Sequence, residues 1–200
     1  MVKKRNIMLD NLKKYTIFLA SGSPRRRQLL ADLGIDFEVR CLNDIDESYP
    51  DDMPADDVAE YISQKKAAAY KKQITGNELY ITADTVVVCD GRVLGKPADR
   101  NEAVAMLRRL SGNVHHVVTG VTVVTECRSV SFSVATEVSF ARLTDEEINF
   151  YVDNFKPLDK AGAYGIQEWI GFVGVESISG SYFNVMGLPV QRLYQELKRL

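Results

Sequence analysis

Apolar residues recur along this chain with two different periods, and the switches from one period to the other mark out strands and helices in close succession. Thr16–Ala20 is a short β-leaning run followed at once by Ser-Gly-Ser-Pro, and then by Leu29, Leu30 and Leu33 at helical spacing. This predicts strand, tight turn and helix. Ser23 serves as N-cap and Pro24 takes the first helical position, where its missing N–H would have no partner anyway. Gly34 is the stop, and residues 35–42 read as a second strand. After an acidic loop, Asn43 to Asp52, a helix is predicted from Pro54 to Ile74, with Asp56 and Asp57 in its first turn. Glu78–Cys89 is a β-branched strand, Asp90-Gly91 a tight turn, and Arg92–Leu94 the returning strand.

The second half continues the alternation. Asp99 with Glu102 opens a helix whose apolar face is Ala103, Met106, Leu107 and Leu110, ending at Ser111-Gly112. His115–Cys127 and Ser129–Ala141 predict a pair of long antiparallel strands. Thr144 with Glu147 caps a helix that runs to Asn154 and ends at Lys156-Pro157. Leu158–Glu168 is a glycine-containing loop, Gly171–Ile178 reads as a last strand, and Pro189–Leu200 as a closing helix. Strands alternating with helices imply an α/β protein with a central, mixed sheet and helices on its outside.

Composition narrows the class. Two hundred residues are enough for one domain with a sizeable core and no covalent staples. A net charge of −2 argues against a broad nucleic-acid-binding face. Three widely spaced cysteines, Cys41, Cys89 and Cys127, form neither a disulfide framework nor a zinc pattern, which fits a reducing, cytoplasmic setting. The basic N-terminus, expected as a short helix or loose arm, lacks the apolar core of a signal peptide, and no run is long enough to span a membrane.

Certain residues break the local rules. Arg25, Arg26 and Arg27 put three cations into a helical first turn, where the dipole disfavours each by roughly 0.3–1 kcal/mol. Either they face water, or they and the free N–H groups of the turn cradle a phosphate. Asp84 interrupts a run otherwise fit for a buried central strand, which is costly unless the carboxylate is paired, hydrogen-bonded or beside a metal. The other reading is a strand-end aspartate capping a turn. Lys66 falls in register with Val58, Ile62 and Tyr70, so it snorkels along the core edge or meets a ligand there. His115 and His116 point to opposite faces of a strand and read as structural. Gln167 offers both a donor and an acceptor, which suits the imide edge of uracil or thymine, although a flipped amide serves cytosine.

The segments L-A-S-G-S-P-R-R-R-Q-L-L, A-D-T-V-V, G-K-P, L-S-G-x-x-H-x-V-x-T-G-V, Y-G-I-Q and G-S-Y-x-N-V-M-G-L-P occur in that order. Together, over about Thr16 to Val190, they resemble the Maf family of nucleoside triphosphate pyrophosphatases. The resemblance implies two lobes around a cleft, as in Maf and ITPase-like folds, and cleavage between the α and β phosphates. Y-G-I-Q is similar to the dTTP/UTP branch. Asp84 then orients or deprotonates the attacking water and touches a Mg²⁺ or Mn²⁺ ion that Glu47 helps to hold. Ser21, Ser23, Arg25, Arg26, Lys66 and Lys96 meet the phosphates, while Thr85 and Gln167 shape the base or sugar end. A homodimer is implied, with a nucleoside triphosphate as the small-molecule partner and neither nucleic acid nor membrane. The chain departs from the expected pattern at Glu168 and Trp169, where many relatives carry glycine. The alternatives are a nucleotide-sensing regulator of cell division that acts through a protein partner, and the same chemistry aimed at damaged nucleotides.

Overall fold

The computed structural model describes residues 7–200, with Met1–Asn6 outside the described residues. The chain divides into two compact units. One comprises the chain up to Asp84 with Thr119–Val134 and Gly187–Leu200, the other Thr85–Val118 with Ala135–Met186. A mixed sheet contributes strands to both. Its strands are β1 (Thr16–Leu19), β2 (Glu38–Val39), β3 (Glu78–Cys89), β4 (Arg92–Leu94), β5 (Val114–Val124), β6 (Ser129–Phe140) and β7 (Val175–Ser179). Their order is β2-β1-β3-β5-β6-β7, with β4 paired to β3. The pairs β1/β2 and β1/β3 are parallel, whereas β3/β4 and β6/β7 are antiparallel.

In the first unit, a 3₁₀ helix (Ile7–Lys14) precedes β1, and α1 (Pro24–Asp32) follows it. Ser23 caps α1 by accepting from Arg26 N–H, and Pro24 sits in the first turn, as its residue types dictate. The second strand is shorter than 35–42 suggests. β1 has only four residues, so it offers partners only to Glu38 and Val39, and Arg40 adds one further bond to Leu19 O. The next helix, α2 (Val58–Lys71), begins later than Pro54: Pro54–Asp57 is a separate turn closed by Asp57 N–H to Pro54 O, and Asp57 precedes the first helical residue. Asp56 and Asp57 thus stand before the first turn rather than in it.

The placement of α2 governs the rest of this unit. Gly120 on β5 lies directly beneath it, and a β-carbon there would come within 2.3 Å of the backbone of Ala59 and Glu60. Only glycine allows that approach. Beside it runs a chain of buried hydroxyls: Ser63 Oγ lies 2.8 Å from Thr122 Oγ1, and Thr82 Oγ1 donates to Ser63 O at 2.8 Å. Each polar atom finds a partner, so the helix is pinned to β3 and β5 at one rotation and one height. On the far side Tyr70, Tyr80 and Phe18 stack with centroids 4.9 Å apart, and the Arg40 guanidinium covers the Phe18 face at 3.8 Å.

In the second unit, α3 (Arg100–Leu110) and α4 (Asp145–Phe155) pack about a core that includes Val87, Leu107, Leu110, Phe140, Ile148 and Tyr151. Thr144 and Glu147 make the full capping box. The box at α3 is displaced: Asp99 accepts from Glu102 N–H, but the Glu102 carboxylate returns to Ala98 N–H. The expected strand Gly171–Ile178 is instead α5 (Trp169–Gly174) followed by β7. A β-carbon on Gly171 would fall 1.8 Å from Ile166 O, so this apolar segment turns tightly against the preceding loop rather than extending. A further short helix, α6 (Tyr182–Val185), lies in this unit, and α7 (Val190–Lys198) closes the chain in the first. β5 and β6 form the expected hairpin, with Thr125 N–H bonded to Arg128 O at 2.8 Å. His115 is buried and His116 exposed, in keeping with their opposite faces. All three cysteines are free, and among the described residues no helix is long and apolar enough to cross a membrane.

Replacing Gly120 with alanine is expected to destabilise the protein by about 3 kcal/mol or more, because the clash is with backbone that cannot rotate away. Urea unfolding measures it. His115, its Nε2 2.8 Å from the Tyr164 phenol oxygen Oη, is held neutral: burial, helped by His116, pushes its pKa down to about 4. The unfolded chain therefore binds a proton near pH 6.5 that the folded chain refuses until about pH 4. Stability should be unaffected by this group above pH 6.5 and fall by on the order of 3 kcal/mol as pH drops through that window. In His115→Gln that acid limb of the urea midpoint should flatten.

Candidate active site

The parallel strands β2, β1 and β3 create a point where the chain leaves β1 toward one neighbour and later returns on the other side. At such a switch point the carboxyl ends of the strands part and leave a crevice. Here β1 stops at Leu19, and its last bond to β3 runs from Ala20 N–H to Ile81 O. Beyond it, the carbonyl of Ala83 is taken by the Arg26 guanidinium, Nη1 to O at 2.9 Å. Arg26 also donates through Nε to Gly187 O at 2.8 Å and through Nη1 to Ser21 Oγ at 3.3 Å. The cationic start of α1 is thereby bound to the residue immediately before Asp84.

Asp84 is not a strand-end cap. It sits inside β3 with its side chain 15 % exposed, and its Oδ1 accepts from Lys66 Nζ at 2.7 Å. Lys66 projects from α2, is itself 13 % exposed, and reaches Glu47 Oε1 at 3.0 Å. One ammonium thus draws together a carboxylate from a strand and another from the acidic loop. Arg26 lies in the same electrostatic neighbourhood. Burial pulls its pKa below the ordinary guanidinium value, Asp84 and Glu47 work against that shift, and Arg25 works with it. Arg25, Arg26, Glu47, Lys66 and Asp84 therefore form one charged cluster.

Ser21 is buried, and its Oγ accepts from Ser23 N–H as well as from Arg26, while Ser23 Oγ caps α1. Both hydroxyls lie in the turn between β1 and α1. Thr85, Lys96 and Gln167 belong to the second unit. Thr85 is half-buried next to Asp84 in sequence, and Lys96 is exposed in the Gly95–Pro97 segment. The Oε1 of Gln167 is buried without a hydrogen-bond partner. Trp169 rests against Phe150 with ring centroids 4.9 Å apart, as a packing residue.

Sequence reasoning missed Lys65. Its ammonium holds Asp46 Oδ2 and the Ser48 carbonyl, each at 2.7 Å, and so fixes the two residues flanking Glu47. The hydrogen bonds of Lys65 and Ser48 hold the Asp46 carboxyl well below the usual range. The available signal was the adjacent pair Lys65-Lys66 thirteen residues after the end of an acidic loop. Also missed was the buried Lys160, which pairs with Asp159 at 2.7 Å and Glu168 at 3.1 Å.

Among the described residues no group of three or more His, Cys, Asp or Glu side chains is disposed to enclose a metal. What exists is a pair of carboxylates. Glu47 and Asp84 both reach a single cationic nitrogen, so their oxygens can converge on one hard cation whose remaining positions go to phosphate and water. That donor set suits Mg²⁺ or Mn²⁺ shared with a substrate.

A protein of Parabacteroides distasonis named dTTP/UTP pyrophosphatase is 61% identical over 191 residues, covering 96% of this chain and 99% of that one. One of the same name from Phocaeicola vulgatus is 58% identical over 193 residues, with 96% and 100% covered. The solved structure of a HAM1 protein from Coxiella burnetii superposes with a TM-score of 0.48 at 14% identity, covering 93% of this chain and 100% of that one. The sequence model for Maf-like protein matches residues 16–200, so the chain belongs to the Maf-like family.

Proposed function

We propose that this protein hydrolyses nucleoside triphosphates between the α and β phosphates, releasing pyrophosphate and a nucleoside monophosphate, with dTTP and UTP as preferred substrates. One observation carries the chemistry: the guanidinium that begins α1 and the carboxylate within β3 lie at the same strand crevice, with Lys66 bridging Asp84 to Glu47. The names borne by the relatives support the choice of nucleotide.

In this reading Asp84 orients a water against the α phosphorus and accepts its proton. A new P–O bond forms there as the bond to the bridging oxygen breaks, and the electron pair leaves with pyrophosphate. Such transfers depend on positioning and on neutralising oxygens as charge moves to the leaving group. Arg25, Arg26 and Lys66 neutralise that charge, Ser21 and Ser23 donate to phosphate, and Lys96 adds a further contact to the triphosphate. Glu47 and Asp84 would hold a divalent cation, which when bound supplies Lewis-acid charge at the phosphate oxygens. Lys66 has two tasks in turn. Before substrate enters it keeps two carboxylates from repelling each other, and with triphosphate present it turns to phosphate and frees an Asp84 oxygen to accept a proton. Thr85 and Gln167 shape the base and sugar end. The functional unit is read as two lobes around a cleft and as a homodimer.

Pyrophosphate release from a panel of canonical and modified triphosphates, with Mg²⁺, Mn²⁺ or no metal, tests the assignment; release of γ-phosphate alone, or of nothing, overturns it. Asp84→Asn should lower turnover by at least roughly 10²-fold while nucleotide binding is largely kept. Lys66→Met removes the internal cation. In the absence of nucleotide it should bind Mn²⁺ about tenfold more tightly than the parent, by titration of the free-ion spin resonance signal, while turnover falls.

A further inference from the structure

In the proposed reaction Lys66 leaves the carboxylates for the triphosphate, and a divalent cation takes its place between them. Asp84 keeps its position because it belongs to β3, but Glu47 then loses the ammonium that holds it at 3.0 Å. A half-exposed carboxylate on a loop needs a second anchor if it is to stay at the cation. The loop supplies one. Asp46 Oδ1 accepts from Ser48 N–H and its Oδ2 from Ser48 Oγ, both at 2.9 Å, which closes a tight turn with Glu47 at its middle. Lys65 Nζ seals that turn by donating to Asp46 Oδ2 and to Ser48 O, each at 2.7 Å, with Ser48 Oγ at 3.4 Å. On the N-terminal side Ile45 packs against the cluster of Phe18, Tyr70 and Tyr80, and Leu42 N–H donates to Tyr70 Oη at 2.7 Å. Apolar packing thus fixes the approach to Glu47, and Lys65 fixes the turn that carries it.

Successive helical residues point about 100° apart. From α2, Lys66 therefore meets the Glu47 carboxylate while Lys65 meets the residues on either side of it. Their chemistry differs as well. Lys66 occupies oxygens that a cation must take, so the two compete. Lys65 binds oxygens of Asp46 and Ser48 that are not part of the Glu47 and Asp84 donor set, so it stays in place when the cation arrives. An isolated pair between Lys65 and the exposed Asp46 would contribute little to stability. Its effect is to restrict the turn before the cation binds, so that less freedom is lost on binding.

We infer that Lys65 is a positioning residue that keeps Glu47 at the divalent-cation position when Lys66 turns to the triphosphate. This rests on the reading above in which Glu47 and Asp84 hold that cation. The two lysines should then act with opposite sign. Loss of a positive charge beside two carboxylates by itself draws a dication in more tightly, as expected for Lys66→Met. Lys65→Met should instead weaken Mn²⁺ binding to the nucleotide-free full chain at least about fivefold, by the same free-ion spin resonance titration. The loss should be larger in a Lys66→Met background, where the turn has no second ammonium. Lys65→Arg, which keeps the charge and offers several donors, should stay within about twofold of the parent. In a Glu47→Gln background Lys65→Met should weaken Mn²⁺ no further, because the carboxylate it positions is gone.

Mn²⁺ held by Lys65→Met as tightly as by the parent, or more tightly, overturns the inference. So does a parent that holds no Mn²⁺, and so does equal weakening with and without the Glu47 carboxylate, which is the mark of a general structural defect. Pyrophosphate release by a parent whose Lys65→Met variant keeps full Mn²⁺ affinity leaves the hydrolase reading standing without this one. The expected Mn²⁺ series in a parent that releases no pyrophosphate removes the hydrolase reading and leaves the positioning role intact.

Discussion

The structure turns on one half-buried ammonium. Lys66 holds Asp84 and Glu47 at the same point, joining a largely buried carboxylate to one that is half exposed and offsetting their mutual repulsion. An ion pair in such a place gains little net stability, since desolvation offsets much of the attraction. Its value lies in specifying geometry, and that geometry is inherited from α2. The close approach over Gly120 and the hydroxyl chain of Ser63, Thr82 and Thr122 fix where the helix stands, and therefore where the lysine ends. Lys65, one residue earlier, binds the residues on either side of Glu47. Two successive lysines thus hold the acidic loop, one at the residues flanking Glu47 and the other at the Glu47 carboxylate itself.

Arg26 shows how a disfavoured sequence choice becomes useful. A cation in a helical first turn opposes the dipole, yet this one finds two backbone carbonyls and a serine oxygen. Because β1 ends at Leu19 while β3 continues, the Ala83 carbonyl needs a donor, and the guanidinium supplies it. The same contact joins the turn after β1 to the residue preceding Asp84. Structural satisfaction and site assembly are here a single interaction.

Much of this was legible before any coordinates. The span of β3, the Ser23 and Thr144 caps, the Asp90-Gly91 turn and the odd placement of Asp84 and Lys66 follow from period and residue type alone, because each is decided within a few neighbours. The misread segments are those where distant backbone decides. Trp169–Gly174 carries β-favouring residues and is too short for a helical period to declare itself, and it coils because Gly171 must lie against the Ile166 carbonyl. The truncated β2 depends on how short β1 is. The hold of Tyr151 on Glu168 joins residues many positions apart with no shared periodicity, so nothing local signals it. The expectation that Ser21, Ser23, Arg25 and Lys96 meet phosphate came from ordered motifs rather than from pattern, whereas the pairing of Glu168 with Tyr151 and Lys160 became visible only once its neighbours were placed.

Asp84 stands in the interior of a twelve-residue strand, with ladder partners N-terminal to it on β1 and C-terminal to it on β4. Because strand side chains alternate faces, adding or removing a single residue between those two anchors would turn the carboxylate to the opposite side of the sheet. The strand can therefore change its residues but hardly its length. Variants of this scaffold that keep Asp84 on its present face must therefore keep the count of residues between those two anchors, whatever they exchange in the loops around it.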